Sequence, residues 1–191
     1  RTRHFYRSIT VPAGATNIQL SFKYKQATAD YSFSTYYDYI AVYTSNTAPT
    51  DGTLSGGTLV YGPYPTVAVP TFTTQSVTLS NALAGTTTNL IFTFKCDNIS
   101  PDAYGAVDDI SLTYTPPPPP TITNLLTALS GCEGSNITIT GTNLTGATAA
   151  NVKIGGTAVS SIISNNGATI VAVVGTGTTG TVSVTTPGGT A

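Results

Sequence analysis

The chain has 191 residues, a formal net charge of -1 and 8% charged residues, with 19 Gly, 12 Pro, 11 Tyr, two Cys and neither Met nor Trp. So few bases leave no electrostatic footprint for nucleic acid or anionic lipid, and no apolar run approaches the roughly 18 residues a membrane helix needs. An apolar share of 40% with low charge excludes disorder by composition. Threonine, valine and tyrosine dominate over helix formers, which predicts an all-β protein.

In the first segment, residues 1–115, apolar residues alternate with polar ones. Ile18, Leu20, Phe22 and Tyr24 share one parity and Gln19, Ser21, Lys23 and Lys25 the other. Ile40 with Val42 repeats the pattern, as do Leu90, Phe92 and Phe94, and then Ile110, Leu112 and Tyr114. Such alternation marks strands buried on one face. Turns are expected at Pro12-Ala13-Gly14, Asp51-Gly52, Gly56-Gly57, Gly62-Pro63 and Ala84-Gly85. Short strands so punctuated predict a two-sheet sandwich of jelly-roll type.

Five consecutive prolines, Pro116 to Pro120, follow. They cannot join a ladder as donors and predict a stiff polyproline linker over 116–120. Every aromatic residue and the single His lie before them, and only Glu133 and Lys153 are charged after them. Two such different fillings imply two domains. Residues 121–191 repeat the strand pattern with smaller side chains: Ile137 and Ile139, Val152 and Ile154, Ile162 and Ile163, Ile170 to Val174, Val182 and Val184. A small immunoglobulin-like sandwich is expected, with turns at Asn165-Asn166-Gly167, Gly175-Thr176-Gly177 and Gly188-Gly189.

Parity also places the acids. Asp38 shares parity with Ile40 and Val42, and Asp108 with Ile110 and Leu112, so both carboxylates are expected to point inward. A buried carboxylate is costly unless paired or metal-bound, and Ca²⁺ favours oxygen ligands of this kind. Capping of turns or acceptance of backbone N–H bonds is the other use of such carboxylates. Tyr37, Tyr39 and Tyr43 fall on the outward parity of one strand. They suit either stacking on a sugar ring or cross-strand aromatic packing. Cys96 and Cys132 stand one per segment, as a buried hydrophobe and a free thiol or as an interdomain disulfide. No metal-ligand spacing involves them. His4 has no nucleophile elbow or nearby acid to work with, so no catalytic residues are assigned.

The stretches Ser130-Gly131-Cys132-Glu133-Gly134, Ile137-Thr138-Ile139-Thr140-Gly141-Thr142-Asn143-Leu144 and Gly180-Thr181-Val182-Ser183-Val184-Thr185-Thr186-Pro187-Gly188-Gly189 resemble an IPT/TIG domain. Members of that family continue past the Gly-Gly turn, so residues 121–191 are expected to lack the final strand. The stretches Tyr37-Asp38-Tyr39-Ile40-Ala41-Val42-Tyr43, Phe94-Lys95-Cys96-Asp97 and Ala106-Val107-Asp108-Asp109-Ile110 are similar to CUB/MAM-like jelly rolls. That resemblance implies Ca²⁺ ligation by Asp38 and Asp97, and jelly-roll carbohydrate modules imply a similar use of Asp108. Together the two likenesses imply a non-catalytic piece of a large secreted surface protein of the Bacteroidota, exported by type IX secretion. Such a piece works in adhesion or structural display, or as the carbohydrate-binding region of a polysaccharide-degrading enzyme. Its expected partners are an extracellular glycan or protein surface and further domains of the same long chain.

Overall fold

The computed structural model describes residues 1–27, 30–32, 35–50, 52–64, 68–96, 105–126, 132–176 and 179–191. They form two compact units, one of Arg1–Val11 with Ala15–Thr115, the other of Pro12–Gly14 with Pro116–Ala191. Apart from two single 3-10 turns, the regular structure is antiparallel strand.

Unit 1 contains β1 (Thr2–Thr10), β2 (Thr16–Gln26), β3 (Asp30–Ser32), β4 (Thr35–Ser45), β5 (Thr58–Tyr64), β6 (Val69–Thr78), β7 (Thr87–Lys95) and β8 (Gly105–Thr115). One sheet runs β1-β7-β4-β3 with β5 also paired to β4, and the other runs β6-β2-β8. Their inner faces share a core of Ile18, Leu20, Phe22, Ile40, Val42, Leu90 and Phe92. Phe22 is its centre, fully buried and edge-on to Phe92 at 5.2 Å and Tyr61 at 5.3 Å. These geometries suit the ring quadrupoles as well as the area they bury.

The sheets differ in width, five strands against three. Phe5 of β1 stacks on Phe92 at 4.9 Å, yet its side chain is 41% exposed. Parity therefore tells which face a residue takes but not whether the opposite sheet reaches it.

Two expectations change here. Gly62-Pro63 lies inside β5, joined by a cis peptide. It forms an irregularity rather than a turn, because Ile40 pairs with Tyr64 and Val42 with Tyr61. The inward parity expected along Asp108, Ile110, Leu112 and Tyr114 holds only for Leu112. Ser21 pairs with Ser111 but Lys23 with Asp108, so β8 carries one extra residue. Asp109 takes up the bulge with φ 50. The extra residue flips parity: Val107 and Leu112 both pack on the core, whereas Asp108 is exposed and Ile110 is 44% exposed. Lys23 pairs with Asp109 at 2.7 Å on the outer face. The hydrogen bond from this pairing, then its charge, raises the Lys23 pKa, so any contribution holds at neutral pH and fades as pH rises through the raised value.

Unit 2 contains β9 (Thr121–Leu126), β10 (Asn136–Thr142), β11 (Val152–Ile154), β12 (Thr157–Ala158), β13 (Ser161–Asn165), β14 (Thr169–Val173), β15 (Val182–Thr186) and β16 (Gly189–Thr190). Sheets β13-β14-β10-β9 and β12-β11-β15-β16 enclose Ile139, Leu144, Val152, Val159, Ile170, Ala172 and Val184, an Ig-like sandwich. The Asn165-Asn166-Gly167 turn is built by side chains. Asn166 Oδ1 accepts from the N–H groups of Ala168 at 3.0 Å and Thr169 at 2.7 Å, a common use of Asn in turns. The final strand expected to be absent is present as β16: Thr185 pairs with Thr190, and Val184 and Ala191 exchange backbone hydrogen bonds of 2.9 and 3.0 Å.

The proline run groups with unit 2. Pro120 is buried, and the Pro119 carbonyl accepts from Asn143 Nδ2 at 3.0 Å. Pro118 O lies so near Gly188 that a Cβ there would meet it at 2.2 Å. Glycine is the residue that lets these two segments approach.

Candidate functional site

The outer face of the larger sheet in unit 1 is set by register. Thr2, Lys95 and Tyr39 form one cross-strand row, His4, Thr93 and Ala41 the next, and Tyr6, Ile91 and Tyr43 a third. On an open sheet this face would be solvated. Here Ala41 and Ile91 are fully buried and Thr93 is 3% exposed, and Gly52, Leu54, Gly56 and Gly57 of the chain between β4 and β5 line the same face beside Thr93. That segment turns through Gly52 and Gly56, both left-handed at φ 76 and 71, and Thr50 and Thr53 exchange backbone hydrogen bonds of 3.1 Å. Its return places Leu54 and Gly57 beside Tyr43, where a Cβ on Gly57 would meet Tyr43 Cβ at 3.4 Å and Leu54 Cδ2 at 2.9 Å.

The result is an open groove of about 400 Å³. Tyr39 and Tyr43, Thr2 and His4, Thr93 and Lys95 line it, together with the glycine-rich segment. His4 Nδ1 and Thr93 Oγ1 are 2.9 Å apart, and the Lys95 ammonium lies 5.6 Å from the centre of the Tyr39 ring, within cation–π range. Burial raises the pKa of both tyrosines, and the neighbouring Tyr43 adds to the rise at Tyr39. The phenols are therefore neutral donors at physiological pH. Concavity, aromatic walls and a few convergent polar groups are the usual make-up of a small-ligand site.

Of the tyrosines expected on this face, Tyr39 and Tyr43 meet in the groove. Tyr37 belongs to β4, but its side chain lies outside the described residues. His4, Thr93 and Lys95 were not expected there. Their signal was available only through pairing, since β1 shows no clear apolar alternation and β7 reads as a core strand.

A second, smaller cavity of about 30 Å³ lies near the end of β2, β4 and β7, lined by Gln26, Asp38, Tyr39, Phe94, Lys95, Cys96 and Gly105. Asp38 is 1% exposed, as its parity predicts, and Gln26 is 4% exposed. Gln26 Oε1 is buried with no hydrogen-bond partner among the described residues. A carboxylate and an amide oxygen lining one small space are donor types Ca²⁺ takes, though it takes about six to eight, and Lys95 of the same lining is a competing cation for Asp38. Asp108 does not share that inward face. Its Oδ1 instead accepts from the Asp109 N–H at 2.8 Å. Asp97 lies outside the described residues, among which no cluster of three or more His, Cys, Asp or Glu could hold a metal. Both cysteines are free thiols, Cys96 partly buried and Cys132 exposed.

Among the described residues, no helix is long and apolar enough to cross a membrane. No curated protein and no solved structure matches the chain. Residues 120–190, which span unit 2 from the end of the proline run to Thr190, match the family model of the IPT/TIG domain, a non-catalytic Ig-like fold.

Proposed function

We propose that this chain is a non-catalytic extracellular module in which unit 1 binds a partner and the IPT/TIG domain carries it, within a large bacterial surface protein of adhesive or structural role. The groove over β1, β7 and β4 is the observation that supports this reading. It offers a shaped contact surface, while the groups around it form no nucleophile–base–acid set among the described residues. The test is retention of the 191-residue chain on a panel of extracellular glycans and matrix proteins. Tyr43→Ala should weaken retention by about tenfold or more while leaving the melting temperature nearly unchanged, as expected for an aromatic contact at a binding surface. No retention on the panel, or retention indifferent to Tyr43, defeats the reading.

A second reading, the carbohydrate-binding region of a secreted polysaccharide-degrading enzyme, draws on the same groove. Aromatic walls beside Thr, His and Lys side chains match a pyranose, which has an apolar face and a hydroxylated rim. The two readings separate on the panel: the second expects plant or algal polysaccharides to be retained and matrix proteins to pass through.

Calcium is proposed at Asp38 with Gln26 Oε1. An ion bound only by the folded state stabilises by mass action. Chelation should therefore lower the melting temperature of unit 1, followed by tyrosine near-ultraviolet dichroism, and added Ca²⁺ should restore it in a concentration-dependent way. Identical melting with and without chelator removes calcium from the account.

A further inference from the structure

We propose that the groove takes an acidic saccharide, a pyranose unit bearing a uronate-type carboxylate that pairs with Lys95. This rests on the groove being the contact site and adds the chemistry of its ligand. The row Thr2–Lys95–Tyr39 sets an ammonium, a hydroxyl and a ring side by side across three strands. Among the described residues lining the groove Lys95 carries the permanent charge, His4 is the other titratable base, and none is a carboxylate; Asp38 lines only the smaller cavity that Lys95 and Tyr39 share with the groove. Asp51 lies outside the described residues. The Lys95 ammonium rests against the face of Tyr39 at 5.6 Å. A carboxylate entering the groove would meet a localised positive charge, whose charge-assisted hydrogen bonds are the stronger kind.

The remaining lining suits a sugar ring. Tyr43 and Leu54 provide apolar surface on one side, and Thr2 with the His4–Thr93 pair provides hydroxyl and imidazole groups on the other. Both tyrosine hydroxyls remain protonated at neutral pH and can donate to ring hydroxyls or to the carboxylate. An acidic peptide fits less well. Peptides that dock on sheets usually add a strand to a free edge, and the groove floor is β7 and β4, each already paired on both sides. Along the floor backbone pairing is therefore closed, whereas β1, which contributes Thr2 and His4, is the end strand of its sheet, so a strand-adding acidic peptide is the competitor that the oligoglutamate arm tests.

The test is calorimetric titration of the 191-residue chain with an oligogalacturonate, a neutral gluco-oligosaccharide of the same length and an oligoglutamate of the same charge. The oligogalacturonate should bind at least about tenfold more tightly than the other two, and more weakly as salt rises. Lys95→Gln should remove that preference by about tenfold or more, the scale of one charged hydrogen bond. Lys95→Arg should keep it, which separates loss of charge from loss of fold. Equal binding of the neutral sugar, unaffected by Lys95→Gln, overturns the acidic ligand and leaves the groove as the contact site. Oligoglutamate binding as tightly as the uronide overturns the saccharide. Binding of none of the three overturns the inference, and the Tyr43→Ala panel result then decides separately whether the groove binds anything.

Discussion

Gly141→Ala is expected to disable the first sheet of unit 2. A Cβ at Gly141 would lie 1.8 Å from the Thr121 carbonyl oxygen and 2.9 Å from its carbon. Both are backbone atoms, so no rotamer change relieves the clash. The glycine sits where the β10–β9 register shifts, between Thr140 paired to Asn124 and Gly141 paired to Ile122. Its N–H donates to Ala168 O at 2.8 Å, so moving β10 away from β9 strains its other neighbour too. Overpacking usually costs about 1–3 kcal/mol. A clash confined to backbone belongs at or above the top of that range, about 3 kcal/mol or more. Gly134→Ala is the contrast. Its Cβ would meet nothing within 4 Å, but φ is 82, so the left-handed penalty of about 1–2 kcal/mol is the whole cost. Since every Tyr and Phe lies before the prolines, the aromatic signal does not report on unit 2. Amide exchange in β9 and β10 is the readout, and protection equal to the parent protein would refute the expectation.

Phe22→Ala should unfold much of unit 1 at modest temperature. The ring is fully buried and lies against Tyr24, Tyr61 and Phe92 at 6.2, 5.3 and 5.2 Å. Truncation removes the transferred surface, leaves a cavity and ends three ring contacts, about 3–5 kcal/mol in total. For a domain of this size that lowers the melting temperature by more than about 10 °C. Phe5→Ala makes the comparison. It also ends a stacked contact with Phe92, but from a position already 41% exposed, and a loss of about 1 kcal/mol is expected. A similar fall for both variants would show that the core is not centred on Phe22.

These contrasts mark how far the sequence could be read. Period-two alternation located β2, β4, β7, β10, β14 and β15, because each has one face against a core. It missed β1 as a strand: Arg3, Phe5 and Arg7 share its inner parity where the opposite sheet is too narrow to bury them. It misjudged Asp108 and Ile110, since a single inserted residue at Asp109 reverses every side chain beyond it and leaves no compositional trace. Asp38 was legible from parity alone. The groove was legible only in part. Tyr39 and Tyr43 announce themselves, but His4 reaches Thr93 through pairing across 89 positions, and the opposite wall comes from a loop whose glycines read only as turns.

The prolines have a consequence for self-association. A sheet edge invites another chain because it presents unused N–H and C=O groups. Pro118 to Pro120 lie along Gly188 and Gly189 at the β16 border of unit 2, and proline offers no N–H to an incoming strand. Copies of this domain held at high local concentration would thus meet a border unable to complete a ladder, a built-in guard against sticking together edge to edge.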